Sequence, residues 1–460
     1  MPDTPSDQLN LPTLRQKISG RILTAGEDDY DRARTVWNGT IDRHPAAIVR
    51  CQQTEDVRKA VKVAREHDLP LSVKCGGHMT TGHAICDGLV LDLSLMNDVQ
   101  IDENTRTARV QGGATWDQVD REALKFDLLP PGIPHPVGVG GFTLGGGMGV
   151  VGRKHGLAVD ALREAEVVTA NGHIVTASEE ENSDLFWALR GGGGNFGIVT
   201  SFTFDLFDEP RACLTGNLLY SFDDAADVFE YFRSTVPETP DALYPIASII
   251  TVPEIPGIPE KHVGKPAVNF YVMSVGDPEK LREPMEEFCS FGEPFLRLID
   301  AVDYTDLFVP FEVPKGERHH WASVYLNDLP DNLIDLLATK STPLPTPTTG
   351  ISVYACGGAM GRVSSDATAF AHREASYLAH ITTQWSSPAE DDAHQEWTRR
   401  LHQKIAKFGT GGEYINNQTD DDAERVRAAF GDNYDRLSQV KATWDPDNFF
   451  RMNQNISPAG

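Results

Sequence analysis

Residues 138–149 read GVGGFTLGGGMG, with glycine at seven of the twelve positions. A packed helix or strand does not carry glycine this densely, because each one costs roughly 1 kcal/mol there relative to alanine. The economical expectation is backbone lying against a large ligand. No Gly-Lys-Ser/Thr follows, so the run is not the phosphate loop of the NTPases. Nor does it sit between a strand and a helix with an acid about 20 residues later, as a dinucleotide fingerprint does. Val139, Phe142, Leu144 and Met148 are interleaved and serine is absent, which argues against a flexible linker.

Two further glycine turns flank this run. Upstream, Leu71–Val73 reads as a strand and leads into Lys74-Cys75-Gly76-Gly77-His78, with Gly82 and Asp87-Gly88 beyond. Paired glycines after a strand let backbone N–H groups approach a phosphate. Taken alone, the motif reads as a plain Gly-Gly turn with an incidental histidine. Downstream, LFWALRGGGGNFGIVTSFTFDL (185–206) joins a helix to a strand through four glycines, Asn195 and Gly197. The three turns together suggest three walls of one cofactor cleft.

The remaining chain sets limits on function. A formal charge of -26 repels polyanions, which argues against nucleic acid and anionic membranes as partners. It is also compatible with a salt-loving host. No apolar run approaches the roughly 18 residues of a membrane helix. The opening MPDTPSDQLNLPTL lacks the basic and apolar regions of a secretory signal, so the expected location is the cytoplasm. The six cysteines are scattered without a CxxC pair, which supports neither a metal site nor a disulfide framework.

The length of 460 residues suits two or three domains. Residues 54–67 carry helical apolar spacing after a Thr54 N-cap, residues 88–96 alternate as a half-buried strand does, and a helix is expected from Thr115. Beyond residue 208 the texture changes to strand-like runs (LTGNLLYSF, PIASIITV, AVNFYVMSV, HWASVYL, GISVYAC) alternating with amphipathic helices. The fold class is therefore α+β, with an antiparallel sheet and its helices gathered on one face. The ending WDPDNFFRMNQNISP is too densely patterned for a free tail and is expected to dock.

The collinear order GGH…DG..LDLS.M, VGVGG..LGGG.G…K.GLA.D, LFWALRGGGGNFGIVT and DP.NFF..NQNI.P, over about residues 20–458, resembles the berberine-bridge-enzyme-like FAD-linked oxidases. These belong to the vanillyl-alcohol-oxidase superfamily, and the likeness is to its hydroxynicotine-oxidase type. The resemblance implies a two-lobed FAD-binding domain begun by residues 1–208 and completed by 411–460. Residues 209–410 would form the substrate domain. It implies FAD joined through a ring nitrogen of His78, with backbone from Lys74, Cys75, Gly76 and Gly77 to Met79 clamping the pyrophosphate beside Gly82. Gly138, Gly140, Gly141, Thr143, Gly147, Asn195, Gly197 and Val199 would line the rest. Asn448, Asn453 and Asn455 would close over the flavin.

Departures from the family pattern refine this. The cysteine that attaches FAD a second time in many relatives is replaced by Pro134, so a single attachment is expected. Val137 matches the gatekeeper that admits oxygen to the flavin, which favours an oxidase releasing hydrogen peroxide over a dehydrogenase. A non-catalytic flavin-binding relative is a third reading, disfavoured by retention of His78, the glycine turns and the tail asparagines. Thr80 and Met148 replace two tyrosines of the plant members, which tilts the substrate away from planar alkaloids and phenols. Sugars, alcohols, amines and secondary metabolites all stay open. Tyr414, in Glu413-Tyr414-Ile415-Asn416, resembles the family's active-site strand and is the candidate base, its pKa to be lowered by a nearby cation; a core tyrosine is the alternative. Tyr354 is expected to face the substrate. Ala322 stands where relatives often place lysine, with His320 as a possible stand-in. Asp160 and His155 read as structural.

Overall fold

The alternation over 88–96 predicts a strand with one wet face. The structure, a computed structural model describing residues 11–308 and 314–460, instead buries Leu89–Asp92 on both faces. The opening of the segment 1–208, and of the stretch read for a secretory signal, lies outside the described residues. Leu89–Asp92 runs parallel to Ala47–Arg50 on one side and Leu71–Lys74 on the other. Parallel strands are joined by crossovers that cover the sheet, so alternation over so few residues is a weak guide to exposure. The crossover helix, Thr54–Glu66, buries Val57, Ala60, Val61 and Ala64. Thr54 is its first residue rather than its N-cap, and its hydroxyl donates to Glu166 Oε1 at 2.7 Å in the next sheet. Arg21–Leu23 adds an antiparallel edge to complete four strands.

The second sheet is antiparallel, in the order Val99–Asp102, Thr107–Gln111, Ile198–Asp205, Leu162–Val168, Ile174–Ser178. Helix Trp116–Ala123 starts as expected, with Thr115 and Gln118 forming a capping box. Trp116, Phe186, Phe196, Phe202 and Phe204 fill the core behind this sheet, each contributing about 1.5–3 kcal/mol by burial. These two sheets are the two lobes of one half of the molecule.

The third sheet has seven antiparallel strands: Leu296–Asp303, Ala212–Ser221, Pro266–Ser274, Leu243–Thr251, Gly350–Ala355, Tyr377–Trp385 and Arg318–Leu326, in spatial order. Helices Ala225–Thr235, Pro278–Phe288, Asp331–Lys340 and Asp391–Ile405 cover one face, burying Phe229, Phe232, Met285, Leu333 and Leu401. The other face is pressed onto the half that holds the first two sheets. There Tyr244, Ile246 and Tyr271 meet Val150 and Val151, while Tyr325 and Leu378 meet Leu157 and Tyr414.

After helix Tyr434–Trp444 the chain has no regular structure, yet it docks. Lys441 Nζ, fully buried, donates to Asp445 Oδ2 at 2.7 Å, to the Asn195 carbonyl at 2.7 Å and to the Phe450 carbonyl at 2.9 Å. The Asp445 carboxylate in turn accepts the Phe449 and Phe450 N–H groups, each at 2.8 Å.

Candidate active site

The glycine-rich run contains a six-residue helix, Val139–Leu144, so its glycine density does not exclude regular structure. Much of that density serves protein packing. A Cβ on Gly138 would lie 2.5 Å from the Gly76 nitrogen, so the His78 loop and the helix start meet backbone to backbone. A Cβ on Gly145 would lie 2.1 Å from Asn416 Oδ1. Within 138–149 and 191–197, only Gly141 and Gly194 have no atom within 4 Å of an added Cβ. Those two glycines face open space and mark the floor on which a ligand can lie.

His78 is held by rings. The Trp37 indole stacks on the His78 imidazole (centroids 4.3 Å apart, planes 15° apart) and on that of His319 (3.8 Å, 16°). Burial, with His135 nearby, pushes the His78 pKa down to about 4, so the ring is neutral at ordinary pH. Its Nε2 is buried and has no hydrogen-bond partner. The Asn448, Asn453 and Asn455 Oδ1 atoms and Thr143 Oγ1 are likewise buried and unpartnered. Asn453 reaches the open floor, its amide donating to the Gly194 carbonyl at 3.0 Å. An unsatisfied buried polar group costs about 1–3 kcal/mol, and four of them drawn from the helix and the tail fit the polar edges of a flavin nucleotide.

Other residues named from the sequence also make contacts within the protein. The Asn195 amide is spent on the protein: Nδ2 donates to the Gly192 and Gln454 carbonyls, at 2.9 and 3.0 Å, and Oδ1 accepts from Ile456 N at 3.0 Å. It thereby staples the tail to the glycine turn. Gly197 packs on Val167, Gly147 on Ala158, and the Val199 carbonyl lies against Gly112. Gly140 approaches Cys75, whose thiol burial pushes up to about 12. Gly82 and Gly77 turn with positive φ against Ile41 and Val36. Lys74 Nζ donates to the Ala33 carbonyl, and Met79 Sδ accepts from Gln454 Nε2 at 3.8 Å. The Val137 carbonyl accepts from Trp116 N at 3.0 Å, and its side chain is half-buried. All six cysteines are unpaired.

Tyr414 differs from expectation. Its oxygen accepts from Met148 N at 3.0 Å and from Asn416 Nδ2 at 2.9 Å. Burial raises its pKa, the two accepted bonds only partly opposing this, and no cation contributes. A phenol so placed keeps its proton and is a donor. Tyr354 lies on the side of the sheet away from the helices, 6.1 Å from the His380 ring. Strand parity corrects the reading of Ala322: Val324 and Leu326, two and four residues on, belong to the helix-covered core, so Ala322 and His320 also point to the helices. There His320 Nε2 lies 3.3 Å from Asp420. Asp160 takes both Arg373 guanidinium nitrogens at 2.7 Å, and His155 meets Glu209 at 2.7 Å, both structural as expected. Sequence reasoning missed Trp37, Trp321 and His380, which carry no local motif and become visible only with the register of the sheet.

Known proteins share this architecture. A family profile described as FAD binding domain matches residues 45–178, and one described as berberine and berberine like matches 413–457. An FAD-linked oxidoreductase of Bacillus subtilis is 31% identical over 96% of this chain and 98% of its own. The (R)-6-hydroxynicotine oxidase of Paenarthrobacter nicotinovorans is 30% identical, over 96% and 98%. The crystal structure of 6-hydroxy-D-nicotine oxidase from Arthrobacter nicotinovorans superposes with a TM-score of 0.86 at 29% identity, covering 96% of this chain and 98% of that one. The chain belongs to the berberine-bridge-enzyme-like family of FAD-linked oxidoreductases.

Proposed function

We propose that the protein is an oxidase holding FAD covalently through His78 alone, which passes electrons from a small alcohol, sugar, amine or secondary metabolite to dioxygen and releases hydrogen peroxide. The observation that carries this reading is the neutral, buried and unpartnered Nε2 of His78, fixed by Trp37 beside the open floor at Gly141 and Gly194. FAD supplies a hydride-accepting ring, and the protein's part is to hold and tune it. Asn448, Asn453, Asn455 and Thr143 offer it hydrogen-bonding atoms. Residues 1–208 and 411–460 would bind the cofactor, and 209–410 would carry the substrate. Pro134 in place of a thiol supports a single link, and the small Val137 at the gatekeeper position supports an oxidase. Tyr414 would donate a hydrogen bond into the cleft rather than take a proton.

Acid precipitation of the purified holoenzyme tests the link. Yellow colour is expected in the pellet, and colour in the supernatant removes the His78 bond. Reoxidation of the dithionite-reduced enzyme by air separates an oxidase from a dehydrogenase, which would reoxidise slowly.

A further inference from the structure

Trp37 is tied to both halves of the molecule. Its indole stacks on the imidazole of His78, which follows the strand Leu71–Lys74, and on that of His319, which stands on Arg318–Leu326 of the seven-stranded sheet. The backbone repeats the link. Gly316 N donates to the Trp37 carbonyl at 3.0 Å, and Gly39 N to the Glu317 carbonyl at 2.8 Å. Between them the buried Asn38 amide binds His319 twice, Oδ1 accepting from its N–H at 3.0 Å and Nδ2 donating to its carbonyl at 3.1 Å. Nδ2 also donates at 2.9 Å to the carbonyl of Thr80, just beyond His78. A Cβ on Gly39 would lie 2.1 Å from the Gly316 carbonyl oxygen, so the two segments meet at backbone contact.

Docking the two halves needs only the backbone bonds; the rings have a further effect. His78 Nε2 has no hydrogen-bond partner, so nothing bonded at that nitrogen sets the plane of the ring. The indole face does so by contact, at 4.3 Å between centroids and 15° between planes. Trp37 is itself kept from turning, by His319 stacked on it at 3.8 Å and by the edge-on Trp321 ring at 5.2 Å. The orientation of His78 is therefore inherited from residues 316–321, across the boundary between the halves. Bond formation at a ring nitrogen is sensitive to such orientation, since a misplacement of about 1 Å can cost about a hundredfold in rate.

We propose, resting on the covalent-flavin reading above, that Trp37, Asn38 and the strap 316–319 form a brace that aims His78 for bond formation with FAD. The seven-stranded half is then part of the attachment site, and the flavin is joined only when the two halves are docked. Trp37 and His319 are positioning residues. In the attachment one imidazole N–H and one C–H of a flavin ring methyl break, and an N–C bond joins the two groups. The two electrons and two protons released go to dioxygen as hydrogen peroxide. None of these atoms comes from the brace, whose contribution is the orientation of the nitrogen.

The test follows attachment itself. Purified full-length variants are incubated in air with FAD and quenched in acid at intervals, and the flavin in pellet and supernatant is measured. The wild type is expected to carry its flavin in the pellet from the start. Trp37→Ala should bind flavin that acid releases, and should attach it about 10²-fold more slowly than Trp37→Phe, which keeps a ring face against His78. Gly39→Ala alters neither His78 nor Trp37 but parts the strap from them, and should slow attachment about tenfold. Leu333→Ala hollows the core on the helix-covered face of the large sheet; it should lose stability yet attach its flavin as the wild type does. Equal rates in Trp37→Ala and Trp37→Phe, no flavin bound by Trp37→Ala, wild-type attachment in Gly39→Ala, or slow attachment in Leu333→Ala would each overturn the brace. Acid-released flavin in the wild type would instead remove the covalent reading on which it rests.

Discussion

The two walls of the cleft are built by opposite means. The wall proposed to hold the cofactor is made of backbone: glycines packed to contact, two left facing open space, and tail asparagines with idle oxygens. The facing wall, proposed to carry the substrate, is made of side chains standing on a regular sheet, each placed by strand parity and register. A backbone wall depends on residue type at consecutive positions, so it leaves a local signature. A side-chain wall depends on positions tens of residues apart, and one strand alone shows nothing of it.

The largest test of the contrast falls on the cofactor wall. His78→Ala should release all flavin into the acid supernatant. Flavin that stays in the pellet of that variant would reveal a second link and refute the reading of Pro134. Next in size is the anchor that holds the tail asparagines in place. Lys441→Met leaves the Asp445 carboxylate buried without its cation, which should cost about 3–5 kcal/mol in urea denaturation. A loss below about 1 kcal/mol would mean that the tail does not depend on this pair.

A glycine pair sharpens the distinction between packing and ligand. Gly145→Ala drives a methyl into Asn416 and should destabilise the protein by about 1–3 kcal/mol. Gly141→Ala meets nothing in the protein and lies inside a helix, where alanine gains up to about 1 kcal/mol. The apoprotein should therefore melt no lower, while flavin loading falls. Equal loading in Gly141→Ala and wild type would show that this glycine does not face the cofactor.

The same contrast explains what was legible in the sequence. The glycine turns, His78 and the tail asparagines stand in consecutive motifs, so they could be named before any fold was known. Their division of labour could not: Asn195 looks like a ligand contact but staples the tail, and only the positions of Gln454 and Ile456 reveal it. Tyr414 was found by motif but assigned the wrong electrostatics, because burial and two accepted bonds come from residues 148 and 416. Ala322 was misread because motif likeness carries no parity. His380 was invisible, since its cross-strand partners are 28 and 57 residues upstream, at Ser352 and Ser323.

The smallest expected effect lies at the joint between the walls, beside Tyr414. Burial opposes ionisation of Glu413, but His402 and Arg425 outweigh it and hold its pKa below the ordinary value. Arg425 binds both carboxylate oxygens at 2.7 Å, and His402 Nε2 lies 3.4 Å away. A depressed carboxylate stabilises the fold above its unfolded pKa of about 4.3, and that contribution is lost as pH falls through the lower folded value. Stability should therefore decline on acidification below about pH 4.3, with Glu413 contributing to the loss. Arg425→Met should flatten that decline, although Asp420 keeps Arg399 and His320 and so preserves part of it. Urea midpoints at a series of pH values between about 3 and 6 read the slope directly. An unchanged slope in the variant would mean that the joint draws its acid sensitivity from elsewhere.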